Sequence, residues 1–157
     1  MKTLPLILIL AMSACEKPKN SYDKEKIAIQ VADRFESFVM SMNELSGEEL
    51  LTFYSDDPRF YWVEDGRIQY ANKEALMVAL TGLVQSLKST NLEILKSEVE
   101  VLDEGSVMLF AEYEQVAEMK SGFSFNINGA MTVLLQKEQG VWKFLVGHSS
   151  SKKQRGG

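Results

Sequence analysis

The chain has 157 residues, 45% hydrophobic and 25% charged, with ten Gly, three Pro and a net charge of −5. These values match an ordinary globular protein and exclude disordered, collagenous and coiled-coil chains. Proteins that bind nucleic acid use a basic face to neutralise phosphates, and the acidic net charge runs against this, so nucleic acid is not an expected partner. One Cys excludes an internal disulfide, and one His with one Cys excludes the usual His/Cys zinc sites. The length suits one domain with its own core.

The first fifteen residues read as an address. Lys2 gives a positive end, Leu4 to Met12 is apolar apart from Pro5, and Ser13 and Ala14 are small. That is the three-part pattern of a secretory signal peptide. The apolar run is too short to span a bilayer, which needs about 20 residues. Met12-Ser13-Ala14-Cys15 resembles the bacterial lipoprotein signal motif, with Met12 where Leu is usual. The resemblance implies that residues 1–14 are removed and that Cys15 becomes a lipid-modified first residue. The alternative is a plain secretory signal cut near Ala14, with Cys15 a bystander. Glu16 to Lys26 is polar and without apolar periodicity, so 15–23 reads as a tether ahead of a domain over 24–150. Loss of Lys2 leaves 16 basic against 22 acidic residues, or −6. Such a body is held to a membrane by acyl chains rather than by electrostatics. The expected location is the bacterial cell envelope, facing the periplasm or the exterior.

Ile27, Val31, Phe35, Phe38 and Met42 recur at steps of four, four, three and four, which predicts an amphipathic helix over 24–44. Ser46-Gly47-Glu48-Glu49 has the capping-box pattern and predicts a short second helix ending near Tyr54. Asp56-Asp57-Pro58 stops that helix. Arg59 to Val63 is aromatic and β-branched and predicts a strand. Asp65-Gly66 signals a hairpin turn, with Arg67 to Tyr70 returning. Asn72 is placed to cap a third helix with Leu76, Leu80, Leu83 and Leu87 on its apolar face. Gly82 inside that helix lowers its propensity by about 1 kcal/mol.

After Ser89 the period changes to two. Strands are predicted over 91–102, 106–118, 123–136 and 141–149, joined by three short connections that each end in Gly. Ser149 to Gly157 has no apolar residue and reads as a frayed end, with 151–157 outside the domain. The order gives an α+β domain in which helices pack on a curved antiparallel meander and leave a conical cavity.

This order and its motifs resemble the SnoaL-like branch of the nuclear transport factor 2-like superfamily, over about Lys24 to Ser150. The closing run Gly140-Val141-Trp142-Lys143-Phe144-Leu145-Val146-Gly147-His148-Ser149-Ser150 carries most of the likeness. Phe60 to Gly66 and Asn72 to Leu76 add to it. The resemblance implies a cone with three N-terminal helices packed on a curved antiparallel sheet. It does not fix a function, because this fold hosts isomerases, dehydratases, cyclases and assembly modules.

His148 is a candidate general base or, more in keeping with its packed strand, a residue that bonds to protein groups at the sheet end. A regular strand puts Trp142, Phe144, Val146 and His148 on one face and Lys143, Leu145, Gly147 and Ser149 on the other. Both faces are apolar, so the period does not choose which lines the cavity, and the outer one suits a homodimer contact. Asp65 is a candidate base in the early hairpin, though a turn-forming role fits it better. Tyr61 completes the weak catalytic candidates. No paired carboxylates stand at apolar positions within the long strands. The family's dehydratase pattern needs two histidines, and this chain has one.

Tyr54, Phe60, Trp62 and Tyr113 are candidate aromatic walls of a ligand cavity, with Asn126 and Asn128 as polar contacts or as a solvent-facing row. No phosphate loop, dinucleotide fingerprint or nucleophile elbow is present, so no cofactor is expected. The sequence therefore points to a lipid-anchored envelope protein that binds a small apolar or amphipathic molecule. The alternatives are an isomerase, hydratase or cyclase in the same cavity, or a homodimeric assembly module.

Overall fold

A computed structural model describes residues 22–152. Cys15, the signal segment and most of the expected tether lie outside that range. The elements run α1 (Lys24–Asn43), α2 (Gly47–Leu51), β1 (Tyr61–Glu64), β2 (Arg67–Tyr70), α3 (Lys73–Ser86), β3 (Leu87–Val101), β4 (Ser106–Met119), β5 (Ser124–Glu138) and β6 (Val141–Ser151). The helices cover one face of a single curved sheet ordered β2-β1-β6-β5-β4-β3.

The predicted helical face is the buried one: Ile27, Val31, Phe35, Phe38 and Met42 all enter the core. The Asp23 carboxylate caps the helix by accepting from the Lys26 amide. At the other end, the Ser46 amide donates to the Ser41 carbonyl and the Leu45 amide to the Met42 carbonyl. That is a Schellman motif with Leu45, at φ 56°, in the left-handed position usually held by Gly. It also explains why the expected capping box is not made. Ser46 is held in the Schellman turn, and its hydroxyl makes no capping hydrogen bond to α2.

Helix α2 stops at Leu51, short of Tyr54, because the backbone of Phe53–Ser55 is taken by β6. Phe144 donates to the Phe53 carbonyl and accepts from the Ser55 amide. The chain then turns through Asp56-Asp57-Pro58 into β1. Asp65 (φ 46°) and Gly66 (φ 88°) both have positive φ, the geometry of the type I′ turn that joins β1 to β2.

The four long strands form the expected antiparallel meander. Strand β1 joins it in parallel along β6, with Tyr61 opposite Val146 and Glu64 opposite Ser149. This pairing is open to a short strand arriving from a distant part of the chain. Two further readings shift at element ends. Helix α3 passes into β3 without a loop, so Leu87 is a buried strand residue and not a helical one. Strand β6 runs on through Ser151, and the Lys152 amide donates to the Asn128 carbonyl, so the region read as a frayed end is paired this far.

The largest departure lies inside β6. Leu134 pairs with Val146 and Leu135 with Phe144, which leaves Leu145 as a bulge. The bulge reverses the side-chain parity. Trp142 and Phe144 face the helices before it, whereas Gly147 and Ser149 do so after it. The single-face set of Trp142, Phe144, Val146 and His148 is therefore split.

Gly147 faces the helices because Trp62 lies on it. A Cβ there would stand 2.0 Å from Trp62 Cζ3. Gly82 is the opposite case, with nothing within 4 Å of its Cβ position. Gly147→Ala should destabilise the domain by at least about 2 kcal/mol through overpacking. Gly82→Ala should stabilise it by about 1 kcal/mol through helix propensity. Urea unfolding of both variants checks the pair; equal effects would contradict this account of the packing.

Candidate functional site

Two concavities merit comparison. The first, about 730 Å³, is a surface groove bordered by Arg34, Thr52, Asp56, Lys73, Glu138 and Lys143. Its charges satisfy one another. Lys73 and Lys143 both donate to the Asp56 carboxylate, at 2.5 and 2.9 Å. Those two bonds, Lys73's first, hold the Asp56 carboxyl below its ordinary range. Arg34 donates to the Trp142 and Thr52 carbonyls and covers the Phe53 ring. The buried Ser55 hydroxyl donates to Glu138 and accepts from the Asp57 amide. This network fastens the α2–β1 connection to β6 and leaves its side chains committed.

The second concavity, about 400 Å³, lies between α1, α3 and the inner face of the sheet. This volume is within the usual span for small-molecule sites, about 300–1,000 Å³. Met42, Leu76, Leu80, Leu83, Leu92 and Met131 form an apolar wall. Tyr54, Trp62, Tyr70 and Tyr113 form an aromatic one, and Glu64, Gln115 and Ser149 add polar groups.

Glycines in the sheet make room for two of the rings. The six-membered ring of Trp62 covers Gly147, while its Nε1 donates to Ser149 Oγ at 3.2 Å. The Tyr113 phenol sits on Gly129, where a Cβ would be 2.7 Å from the hydroxyl oxygen. Tyr54 is packed edge-on against Trp62, with ring centroids 6.0 Å apart at 75°. Two large rings thus lie over the sheet without displacing a strand.

Glu64 is the one formally charged side chain among the described residues of this lining. No described residue makes a hydrogen bond or ion pair with its carboxylate. Burial raises its pKa, the neighbouring Asp65 adds to the rise, and Arg67 opposes it. The tyrosines respond to the same surroundings. Burial pushes up the Tyr54, Tyr70 and Tyr113 phenols, and the negative charge of Glu64 contributes in all three.

The candidates read from the sequence fall into three groups. Tyr54, Trp62 and Tyr113 line the cavity. Phe60 is buried behind it, edge-on to Tyr54 at 6.1 Å. The rest lie elsewhere. Asn126 and Asn128 alternate with inward Phe125 and Ile127, and Asn126 donates to Glu114 across the outer face. Tyr61 is exposed beside Trp62 on that outer face. Asp65 accepts from the Ser151 amide and hydroxyl, which ties the hairpin turn to the end of β6. His148 is exposed on the outer face between Val63 and Thr132. Its ring makes no hydrogen bond to a described residue, so the bonding expected at the sheet end is not found.

Sequence reasoning passed over Glu64 and Tyr70. The signal for Glu64 was present: with period two, a residue two beyond an inward Trp62 is also inward. Among the described residues, no group of three or more His, Cys, Asp or Glu could hold a metal ion.

A SnoaL-like domain model matches residues 31–152. The chain belongs to the SnoaL-like family. No curated protein matches it. Solved structures show the same fold at low identity. A nuclear transport factor 2-like superfamily protein from Salmonella enterica serovar Typhimurium superposes with a TM-score of 0.72 at 10% identity, covering 85% of this chain and 96% of that one. A protein from Streptomyces avermitilis, provisionally named a dehydratase of the nuclear transport factor 2-like family, gives 0.73 at 11%, covering 83% and 99%. A hexachlorocyclohexane dehydrochlorinase gives 0.68 at 17%, covering 83% and 88%.

The raised pKa of Glu64 has a stability consequence. The folded state keeps this proton to higher pH than the unfolded chain, so the penalty is absent at low pH. It grows as pH rises through the unfolded and then the folded pKa, and is complete above the latter. Glu64→Gln should raise the melting temperature near pH 7, and the gain should close by about pH 3. Parallel melts across pH check this; a gain independent of pH would contradict it.

Proposed function

We propose that this SnoaL-like domain holds a small amphipathic molecule in the cavity behind Trp62, with its apolar body along α3 and its polar end toward Glu64. One observation carries the reading: a largely apolar cavity contains a half-buried carboxylate to which no described residue donates. A carboxylate without a protein donor, set at one end of an apolar wall, orients a ligand by offering its polar end an acceptor there.

Ala79 lies at the cavity wall on α3, and Ala79→Trp would fill the space without removing a core side chain. A neutral solvatochromic dye should brighten on binding to the wild type, and Ala79→Trp should lower its affinity by at least about tenfold, or 1.4 kcal/mol. Unchanged binding would place the dye elsewhere and remove this support. Native mass spectrometry of the detergent-solubilised full chain reads co-purifying ligand and copy number together. The copy number tests a homodimer packed through the outer sheet face, where Met108, Phe110, Leu134 and Val146 are half-buried.

A second reading is acid–base catalysis in the same cavity. It is favoured by the raised pKa of Glu64 and by the three tyrosines around it. The dehydrochlorinase and the provisional dehydratase of the same fold make proton abstraction a reasonable class to test. Glu64→Gln would then lower turnover by about 10²–10⁴-fold while ligand binding persists. Tyr61, Asp65 and His148 lie outside the cavity lining and are not needed for this reading.

We further propose that the domain works at the bacterial cell envelope on a lipid attached to Cys15. The support is the sequence pattern of residues 2–15 and the polar segment after it. Wild-type protein should partition into detergent with diacylglycerol mass on its first peptide, and Cys15→Ser should release it. Soluble, unmodified wild type would contradict the anchor.

A further inference from the structure

We propose that the cavity selects an organic monocation, an amine or quaternary ammonium group seated beside Glu64 among the rings of Tyr54, Trp62 and Tyr113. The inference rests on the small-molecule reading above and adds the charge and class of the ligand.

Three observations converge. The first is the charge inventory of the cavity. No Lys, Arg or His is among its described lining residues, so the Glu64 carboxylate is the sole formal charge there. Arg67 is the cation that acts on Glu64, but it is exposed on β2 and does not line the cavity. An anionic ligand would therefore be desolvated next to a carboxylate with no compensating cation, which is strongly unfavourable. A neutral donor such as an alcohol would give Glu64 one hydrogen bond and leave its charge unneutralised. A cation supplies both.

The second is the arrangement of rings. Tyr54 and Trp62 are in edge-to-face contact, with centroids 6.0 Å apart at 75°, and both border the cavity. Tyr113 borders the same space. Aromatic faces carry negative quadrupole potential, and a desolvated cation against Trp or Tyr gains substantially from it. The Trp62 indole lies on Gly147 and donates from Nε1 to the Ser149 hydroxyl, so it is placed without a ligand. The Tyr113 ring is similarly seated on Gly129. Rings fixed before the ligand arrives cost little ordering entropy on binding.

The third is the separation of the two walls. The carboxylate and rings come from the β1–β2 hairpin and the sheet, whereas Leu76, Leu80 and Leu83 line the α3 side. A ligand with a cationic head and an apolar body meets both at once. Ordinary solvent cations would meet only the first.

The test is a charge series on one eight-carbon body: octyltrimethylammonium, n-octanol and octanoate, titrated calorimetrically into the full-length protein at neutral pH, below their micellar concentrations. The cation should bind at least about tenfold more tightly than the alcohol, and octanoate most weakly. Glu64→Gln should remove most of the preference for the cation, lowering its affinity by at least about tenfold and that of octanol by less. Ala79→Trp should weaken the cation and the alcohol together. Should Glu64→Gln fold poorly, the wild-type series still decides. Octanol or octanoate binding as tightly as the cation would overturn the charge selection while leaving the small-molecule reading intact. Failure of all three to bind would overturn both.

Discussion

The seam between β1 and β6 governs the site. A two-stranded hairpin of four-residue strands is marginal alone, so β1 and β2 depend on what they dock against. They dock in parallel on β6, and the flat contact of Trp62 with Gly147 fixes the register. A slip of one residue would turn Trp62 and Glu64 to the outer face and bring Tyr61 and Val63 inward. The Leu145 bulge is the matching condition on the other strand. Without it, Val146 and His148 would face the helices in place of Gly147 and Ser149, and the indole would have nowhere to lie. A missing side chain and an extra residue together place the cavity's only described carboxylate.

Much of the architecture was legible in the sequence because its signals were redundant. Five apolar residues at helical spacing left α1 one buried face. Three Gly-ended connections between period-two runs allowed only hairpins. What was not legible lay where two physical choices gave the same pattern. Both parities of β6 are apolar, so nothing local announced the bulge at Leu145. The leucine spacing of α3 continues smoothly into Leu87, although the backbone has already become extended there. The Ser46–Glu49 pattern was sound, but the Schellman turn claimed Ser46 first. The parallel partner of β1 lies more than eighty residues away along the chain, beyond the reach of local pattern.

The cavity was partly legible for a related reason. Aromatic residues pointed to a lining, and Tyr54, Trp62 and Tyr113 are in it. The polar residues that stand out in the sequence are the lone His148, the turn residue Asp65 and the Asn126–Asn128 row. Each of these is polar because it meets water or the hairpin end. Glu64 is less conspicuous, since a glutamate beside an Asp-Gly turn looks like ordinary surface. Its importance comes from its neighbours: burial, an acidic partner in sequence and three phenols turn a common residue into the main polar feature of an apolar wall.

Strand β3 closes one side of the sheet, and no described strand lies beyond its outer backbone edge. A straight fifteen-residue edge would template association with other chains. Here Lys88, Glu93, Lys96, Glu98 and Glu100 are spread along it, and the pairing is broken again near Leu95. Charge and curvature therefore make this rim a poor template for strand addition. Exposed Leu95 is the weak point in that protection. The exposed charges of β3 therefore bear on association, while Leu87, Leu92 and Val101 serve the core. Replacing its acidic residues with β-branched apolar ones would suit the strand itself while inviting fibrillar association.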